Sequence, residues 1–325
     1  MTEQKLAWQS ITAETVGRFE QLAHEVAAFD GAQPFSEQTL VEARKAARGD
    51  LGNFRLLATE SDGVPVGFAA LVREEAGWLL EAAVAPSARE RGLGSALVAE
   101  VLSADDIELL SAWVHSGSDA SSPAIVSAQK LAKRFGFEAQ RELYKLGLAL
   151  TEQVRTGVLA AAEAQPLPAG LTLTTFTPQD GAGWAAANAA AFAHHPEQGR
   201  LTVADLEQRI GSAWFRAEGF FLAKDEGGQI AGSHWTKIPV NQEGALEGEV
   251  YAVGVTPGWQ GKGLGKALTL AGMAYLASTK YEPGKALERI VLYVDAENTA
   301  AVALYRSLGF SPLAVDRQYG APQPS

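Results

Sequence analysis

The residues best suited to chemistry lie between Val250 and Leu276. There an apolar, β-branched run passes Pro257 and Gly258, crosses Gln260-Gly261-Lys262-Gly263-Leu264-Gly265, and continues with apolar residues at helical spacing. That order predicts strand, tight loop, helix. Three glycines leave the backbone N–H groups unobstructed where the helix starts. Those unpaired donors, with the positive end of the helix dipole behind them, make a site for a phosphate or pyrophosphate. The dinucleotide spacing GxGxxG does not fit this loop, and neither does GxxxxGK[ST], because Ala267 follows Lys266. A glycine turn before a helix also occurs where a strand simply packs closely on that helix, so the loop alone does not choose a ligand.

The elements that must position this loop occur twice. Arg89-Glu90-Arg91-Gly92-Leu93-Gly94 matches Gln260 to Gly265, and Lys130 to Phe137 matches Ala303 to Phe310. Both matches lie about 170 residues apart, far beyond a solenoid period, so the pattern predicts a duplicated domain. Ile11 to Phe29 reads as an amphipathic helix capped by Thr12, and Ser36 as the cap of a second helix. Phe54 to Thr59 and Pro65 to Val72 read as strands joined through Ser61-Asp62-Gly63, followed by an apolar strand from Trp78 to Val84. The run VRTGVLAAAEAQPLPAG has linker character. The expected division is a domain over 1–150, a linker over 151–170 and a second domain over 171–325.

Composition bounds the partners. At 325 residues the chain is long enough for two cores, and its net charge of −11 argues against a nucleic acid or an anionic membrane surface. There is no cysteine, which excludes disulfides, thiolate zinc sites and a thiol nucleophile. No signal-peptide core and no long apolar run occurs, so a soluble, cytoplasmic protein is expected; a monomer and no bound metal are separate expectations. The His194-His195 pair and His234 lack a metal-type spacing such as HExxH, and packed or surface histidines are the expectation for them.

The Gln260 to Gly265 loop resembles the acetyl-CoA motif [QR]-x-x-G-x-[GA] of the Gcn5-related N-acetyltransferase (GNAT) family. The resemblance implies an α/β protein of two tandem GNAT-like domains, each a mixed, mostly antiparallel twisted sheet flanked by helices. It implies acetyl-CoA as cosubstrate, with the pantetheine arm along Val253, Gly254 and Val255. The pyrophosphate would lie on Gln260, Gly261, Lys262, Gly263, Leu264, Gly265 and Lys266. Asn298, Thr299, Ala300, Ala301, Val302 and Ala303 would lie beside the arm, and Tyr305 would give a proton to the departing thiolate. The matching residues of the first copy are Ala82, Ala83, Val84, Arg89, Glu90, Arg91, Gly92, Leu93 and Gly94, but Ala132 stands where Tyr305 would be. That copy is expected either to hold acetyl-CoA without turnover or to serve as a structural partner.

Acceptor-side segments around HPEQG, HWTK and GEVY resemble tandem family members that acetylate the cysteinyl amine of cysteinyl-glucosaminyl-inositol. By that resemblance Glu37, Glu197, Lys237, Glu249 and Tyr293 hold the acceptor, and Glu249 is the general base. Carboxylates and a lysine suit an acceptor rich in hydroxyls that bears one ammonium. Each has a plainer reading: Glu37 as a first-turn glutamate after Ser36, Glu197 and Lys237 as solvated charges, Glu249 as a strand end, Tyr293 as a core aromatic. An acetyltransferase for another small amine or a protein N-terminus, or a non-enzymatic acetyl-CoA-binding module, remain the competing functions.

Overall fold

A computed structural model of the chain describes residues 4–61, 63–74, 77–117, 121–193, 198–238, 246–282 and 285–322. Its contacts divide it into two units. The first comprises Met1–Lys145, Asp295–Thr299 and Pro312–Ser325, the second Leu146–Val294 and Ala300–Ser311.

In the first unit, strand β1 (Gln4–Trp8) leads to helix α1 (Ala13–Asp30). Thr12 and Thr15 close a capping box at its start, and Gly31 ends it in the left-handed region. Val16, Phe19, Leu22, Ala23 and Val26 fall on one face at helical spacing and are buried. Helix α2 (Glu37–Ala47) is capped by Ser36. Strands β2 (Phe54–Ser61), β3 (Val64–Glu74) and β4 (Gly77–Val84) pair antiparallel in sequence order. Helix α3 (Leu93–Leu102) follows the first glycine loop, then β5 (Leu110–Val114) pairs parallel with β4. Helix α4 (Pro123–Arg134) precedes β6 (Glu138–Ala149), a strand that begins in this unit and ends in the second. One apolar cluster, centred on Phe19, Phe35 and Phe68, lies under α1 and α2; another, with Leu71, Leu97 and Val101, lies under α3.

The second unit begins with a departure from expectation. The stretch with linker composition carries helix α5 (Glu152–Ala164), capped by Thr151. Its alanines favour helix, and Arg155 anchors it by donating to the carbonyls of Ala277 and Leu287. The strands and helices that follow are β7 (Leu171–Thr175), α6 (Gly181–Ala191), α7 (Val203–Ile210), β8 (Phe220–Asp225), β9 (Ile230–Lys237), β10 (Glu247–Val255), α8 (Leu264–Ser278), the short antiparallel pair β11 (Lys280–Glu282) and β12 (Lys285–Ala286), β13 (Arg289–Asp295) and α9 (Thr299–Ser307). The sheet order is β13-β10-β9-β8-β7, parallel between β10 and β13 and antiparallel elsewhere. Aromatic side chains including Trp184, Phe220 and Trp235 fill one face, and Leu264 and Leu268 of α8 pack on the other. The last strand, β14 (Ser311–Gly320), pairs antiparallel with β5 and so completes the first unit's sheet.

Candidate active site

Strand β10 is where the second unit opens. Its antiparallel ladder with β9 runs from Glu249 to Val255, but its parallel ladder with β13 runs only from Glu247 to Val250. Beyond Val250 one edge of β10 parts from its neighbour and can pair with an extended ligand. The register against β9 also slips between Val250 and Ala252, which leaves Tyr251 as a bulge. Bulges re-aim side chains and end pairing, and this one sits where both occur.

The glycine loop follows directly. Gly261 and Gly263 have φ of 73° and 84°, a region that favours glycine, and Gly263 caps α8. A Cβ built on either would meet nothing within 4 Å, so the loop encloses a cradle rather than a packed contact. Open space ringed by N-terminal amides of a fifteen-residue helix fits a diphosphate. The Gln260 side chain braces this cradle, its Nε2 donating to the Val255 carbonyl at 3.0 Å. Lys262 rests its ammonium 4.9 Å from the Trp259 ring, and Lys266 is exposed one turn into α8.

Further along the chain, Asn298 precedes α9, whose Thr299, Ala300 and Ala303 are exposed while Val302 and Tyr305 turn inward. Tyr305 packs edge-on to Phe310 with ring centres 5.9 Å apart. Burial pushes its hydroxyl up to about 12, so it stays protonated throughout the working pH range.

At the other end of β10, Glu249 and Lys237 are cross-strand partners with Oε2 and Nζ 3.8 Å apart. Both side chains are partly sheltered, at 16% and 23% exposure, which leaves them reachable by a ligand. Tyr293 on β13 is 48% exposed, which sets aside the core-aromatic alternative. Glu37 is exposed in the first turn of α2, in the first unit. Glu197, His194 and His195 lie outside the described residues.

Two neighbours of Lys237, and the arginine that tethers one of them, escaped the sequence reading. Its ammonium lies 5.7 Å from the Trp214 ring and 5.8 Å from that of Tyr251, whose hydroxyl accepts from Arg209 Nε at 3.1 Å. No spacing links positions 209, 214, 237 and 251, because α7, the segment after it and two strands bring them together.

His234 is fully buried between β9 and α8, and a Cβ on Gly272 would collide with its ring. Neither ring nitrogen makes a full hydrogen bond, and burial pushes the imidazole down to about 4 against a weak opposing interaction at the Leu268 backbone. It is a packed neutral histidine. Among the described residues no cluster of three or more His, Asp or Glu could hold a metal, and no helix is long and apolar enough to cross a membrane.

The first unit repeats the scaffold with different chemistry. Its loop has the same backbone, with φ of 61° at Glu90 and 81° at Gly92, and Arg89 Nε donates to the Val84 carbonyl just as Gln260 does to Val255. A cavity of about 580 Å³ lies against this loop, lined by Ala82, Ala83, Val84 and the residues around Arg89. The ladder between β4 and β5 ends at Leu80 and Ala112, as that between β10 and β13 ends at Val250 and Leu292. Superposing those ends puts Leu79 where the second unit has Glu249. The β3–β4 register has no slip, so the bulge is missing as well. Instead, buried Glu81 accepts from His115 Nε2 at 2.6 Å and from the Ser36 N–H at 3.0 Å, while His115 Nδ1 faces Asp316 of β14 at 3.3 Å. Burial alone would push His115 down; the Asp316 and Glu81 carboxylates outweigh it and push the imidazole up to about 10.

Comparison with known proteins gives this arrangement a family. Residues 187–310 match the Acetyltransferase (GNAT) family and residues 52–139 the Acetyltransferase (GNAT) domain. The chain is 45% identical over 324 residues to a mycothiol acetyltransferase of Rothia mucilaginosa, covering 96% of this chain and 91% of that one. It is 46% identical over 300 residues to one of Renibacterium salmoninarum, covering 90% and 83%. Among solved structures, a tandem GNAT protein from the clavulanic acid biosynthesis pathway shares the fold with a TM-score of 0.69 at 22% identity, covering 99% of this chain and 100% of that one. A GCN5-related N-acetyltransferase from Sphaerobacter thermophilus gives 0.67 at 22%, covering 98% and 97%. The duplicated loop-and-splayed-strand scaffold is therefore that of a tandem GNAT acetyltransferase, and the chain belongs to the mycothiol acetyltransferase family.

Proposed function

We propose that the second unit transfers the acetyl group of acetyl-CoA to the cysteinyl amine of cysteinyl-glucosaminyl-inositol, the last step of mycothiol biosynthesis. The observation that carries this reading is the early end of the β10–β13 ladder at Val250, immediately ahead of the open glycine cradle. The exposed edge offers backbone groups to a pantetheine arm, and the cradle of Gly261 and Gly263 offers amides to the diphosphate. Bound there, acetyl-CoA supplies a thioester carbon open to attack by nitrogen.

The chain's own residues then divide the proton work. Glu249 takes a proton from the acceptor ammonium, since only the free amine attacks. A backbone N–H near the bulge meets the oxyanion, and the C–S bond breaks as the intermediate collapses. A phenol near 12 facing a thiol of ordinary acidity, about 8.5, does not surrender its proton to a free thiolate at equilibrium. Tyr305 therefore hydrogen-bonds the sulfur as charge builds on it, and its proton crosses to the thiolate only as the proton shed by the acylated nitrogen replaces it, which leaves CoA thiol, the amide and a neutral phenol. Lys237 and Tyr293 fix the acceptor's hydroxyls. The first unit has Leu79 and Ala132 in the two reacting positions and so contributes no turnover.

The test is a product assay. With acetyl-CoA and the cysteinyl conjugate, release of CoA thiol should match the appearance of N-acetylated conjugate one for one. Turnover of a polyamine or aminoglycoside with none of the conjugate would replace this acceptor by another amine. No thiol release with any amine would leave only a binding module.

A further inference from the structure

The ammonium of Lys237 is held by more than its carboxylate partner. At 3.8 Å from Glu249 Oε2 it is beyond hydrogen-bond range, yet two ring faces, Trp214 and Tyr251, stand within 6 Å of it. A ring face attracts an ammonium through its quadrupole, and more strongly where water is partly excluded. A long, partly exposed ion pair holds its partner only weakly. The two rings and the carboxylate together surround the ammonium.

The rings are themselves fixed. Tyr251 is the bulge residue of β10, lies edge-on to Trp235 at 5.4 Å and stands 5.2 Å from Trp214. Its hydroxyl accepts from Arg209 Nε at 3.1 Å, and Arg209 Nη1 in turn donates to the Asp205 carbonyl of α7 at 3.0 Å. Helix α7 thus tethers the bulged tyrosine, and the tyrosine ring stands against the lysine ammonium. In the first unit the corresponding strand has neither bulge nor lysine–carboxylate pair, and the ladder end carries Leu79 and Leu80 instead.

We propose that Arg209, Tyr251 and Trp214 are positioning residues: they set the resting point of the Lys237 ammonium relative to Glu249, and with it the register in which a hydroxyl-rich, ammonium-bearing acceptor meets the base. This rests on the reading that Lys237 and Glu249 hold the acceptor. The three residues act through Lys237 and touch neither reacting atom.

A double-mutant cycle on the full chain tests it, with the cysteinyl conjugate as acceptor. Tyr251→Leu should raise the acceptor KM about tenfold, the equivalent of 1.4 kcal/mol, and leave the acetyl-CoA KM unchanged. Tyr251→Phe and Arg209→Gln each keep the ring but break its tether, and each should raise the acceptor KM about threefold, with the pair no worse than either alone. In a Lys237→Met background, Tyr251→Leu should add less than about twofold, because the group it positions is gone. A full tenfold effect in that background, with Lys237→Met itself impaired, overturns the positioning role and leaves the acceptor reading standing. An unchanged acceptor KM in Lys237→Met overturns the acceptor reading and the proposal with it. Should Tyr251→Leu fail to fold, additivity between Tyr251→Phe and Arg209→Gln overturns the tether by the same logic.

Discussion

Glu90 and Gly261 hold the same place in their loops at different cost. Both are left-handed, with φ of 61° and 73°, but only the glutamate carries a Cβ. A non-glycine residue in that region costs about 1–2 kcal/mol, and glycine returns about 0.5–1 kcal/mol of that through its freer unfolded chain. Glu90→Gly should therefore stabilise the first unit by a net of about 0.5 kcal/mol, read as a small rise in the denaturant midpoint. The reverse change is functional. Gly261→Glu puts a carboxylate and a strained backbone at the diphosphate cradle and should weaken acetyl-CoA binding by more than tenfold in calorimetry. Tyr305 obeys a different rule, because in the proposed mechanism it serves the leaving group rather than the bound coenzyme. Tyr305→Phe should lower kcat by about 100-fold, the lower end of what a positioned proton donor contributes, with acetyl-CoA affinity unchanged. Unchanged turnover would remove the residue from the mechanism. The glycine turn ahead of a helix was legible in the sequence because local spacing carries it, whereas Tyr305 was singled out only by resemblance to the family. The contacts that join Arg209, Tyr251 and Lys237 were not legible, since they span separate elements and a tyrosine two residues after a glutamate reads as ordinary strand alternation.

The β10 bulge shows how an element can alter a site without changing its motif. Counting back from the two loops by sequence aligns Glu249 with Trp78; the structure aligns it with Leu79, because Tyr251 is an extra residue in one strand only. A one-residue slip reverses the face of every side chain before it, so two copies with similar loops present different residues at the same ladder position. Period-2 patterning revealed the strands but not the bulge, whose cause is pairing with β9. Helix α5 makes the complementary point. Ala, Pro and Gly content suggested a linker, whereas Arg155 ties the helix to the second unit through the carbonyls of Ala277 and Leu287, both residues buried. Arg155→Ala strands two buried acceptors, each costing about 1–3 kcal/mol. The second unit should lose about 3 kcal/mol, seen as a fall of roughly 5–10 °C in its melting temperature. A change under 1 °C would mean that α5 is held by its apolar face alone.

For the whole molecule, the repeat was legible but the fate of its last strand was not: β14 follows the second copy in sequence and pairs with β5 of the first unit, a contact of high sequence separation that no local pattern encodes. That pairing brings Asp316 to His115 and gives the two units opposite responses to pH. His115 is pushed from its ordinary value near 6.5 up to about 10 in the fold. Its contribution is fully present below pH 6.5 and is lost as pH rises toward 10, because the unfolded chain has already shed the proton that the folded one retains. His234 is pushed from near 6.5 down to about 4. It costs nothing above pH 6.5, but as pH falls the unfolded chain takes up a proton the fold refuses, and the penalty grows to about 3 kcal/mol by pH 4. Hydrogen exchange separates the two effects by location. Amides of β5 and β14 should lose protection between pH 7 and 10, once corrected for intrinsic exchange, while those of β9 and α8 should lose it between pH 6 and 4. Asp316→Asn should bring the alkaline loss to lower pH without moving the acid one. If instead both regions lose protection together at each extreme, the two histidines do not govern the pH limits of their own units.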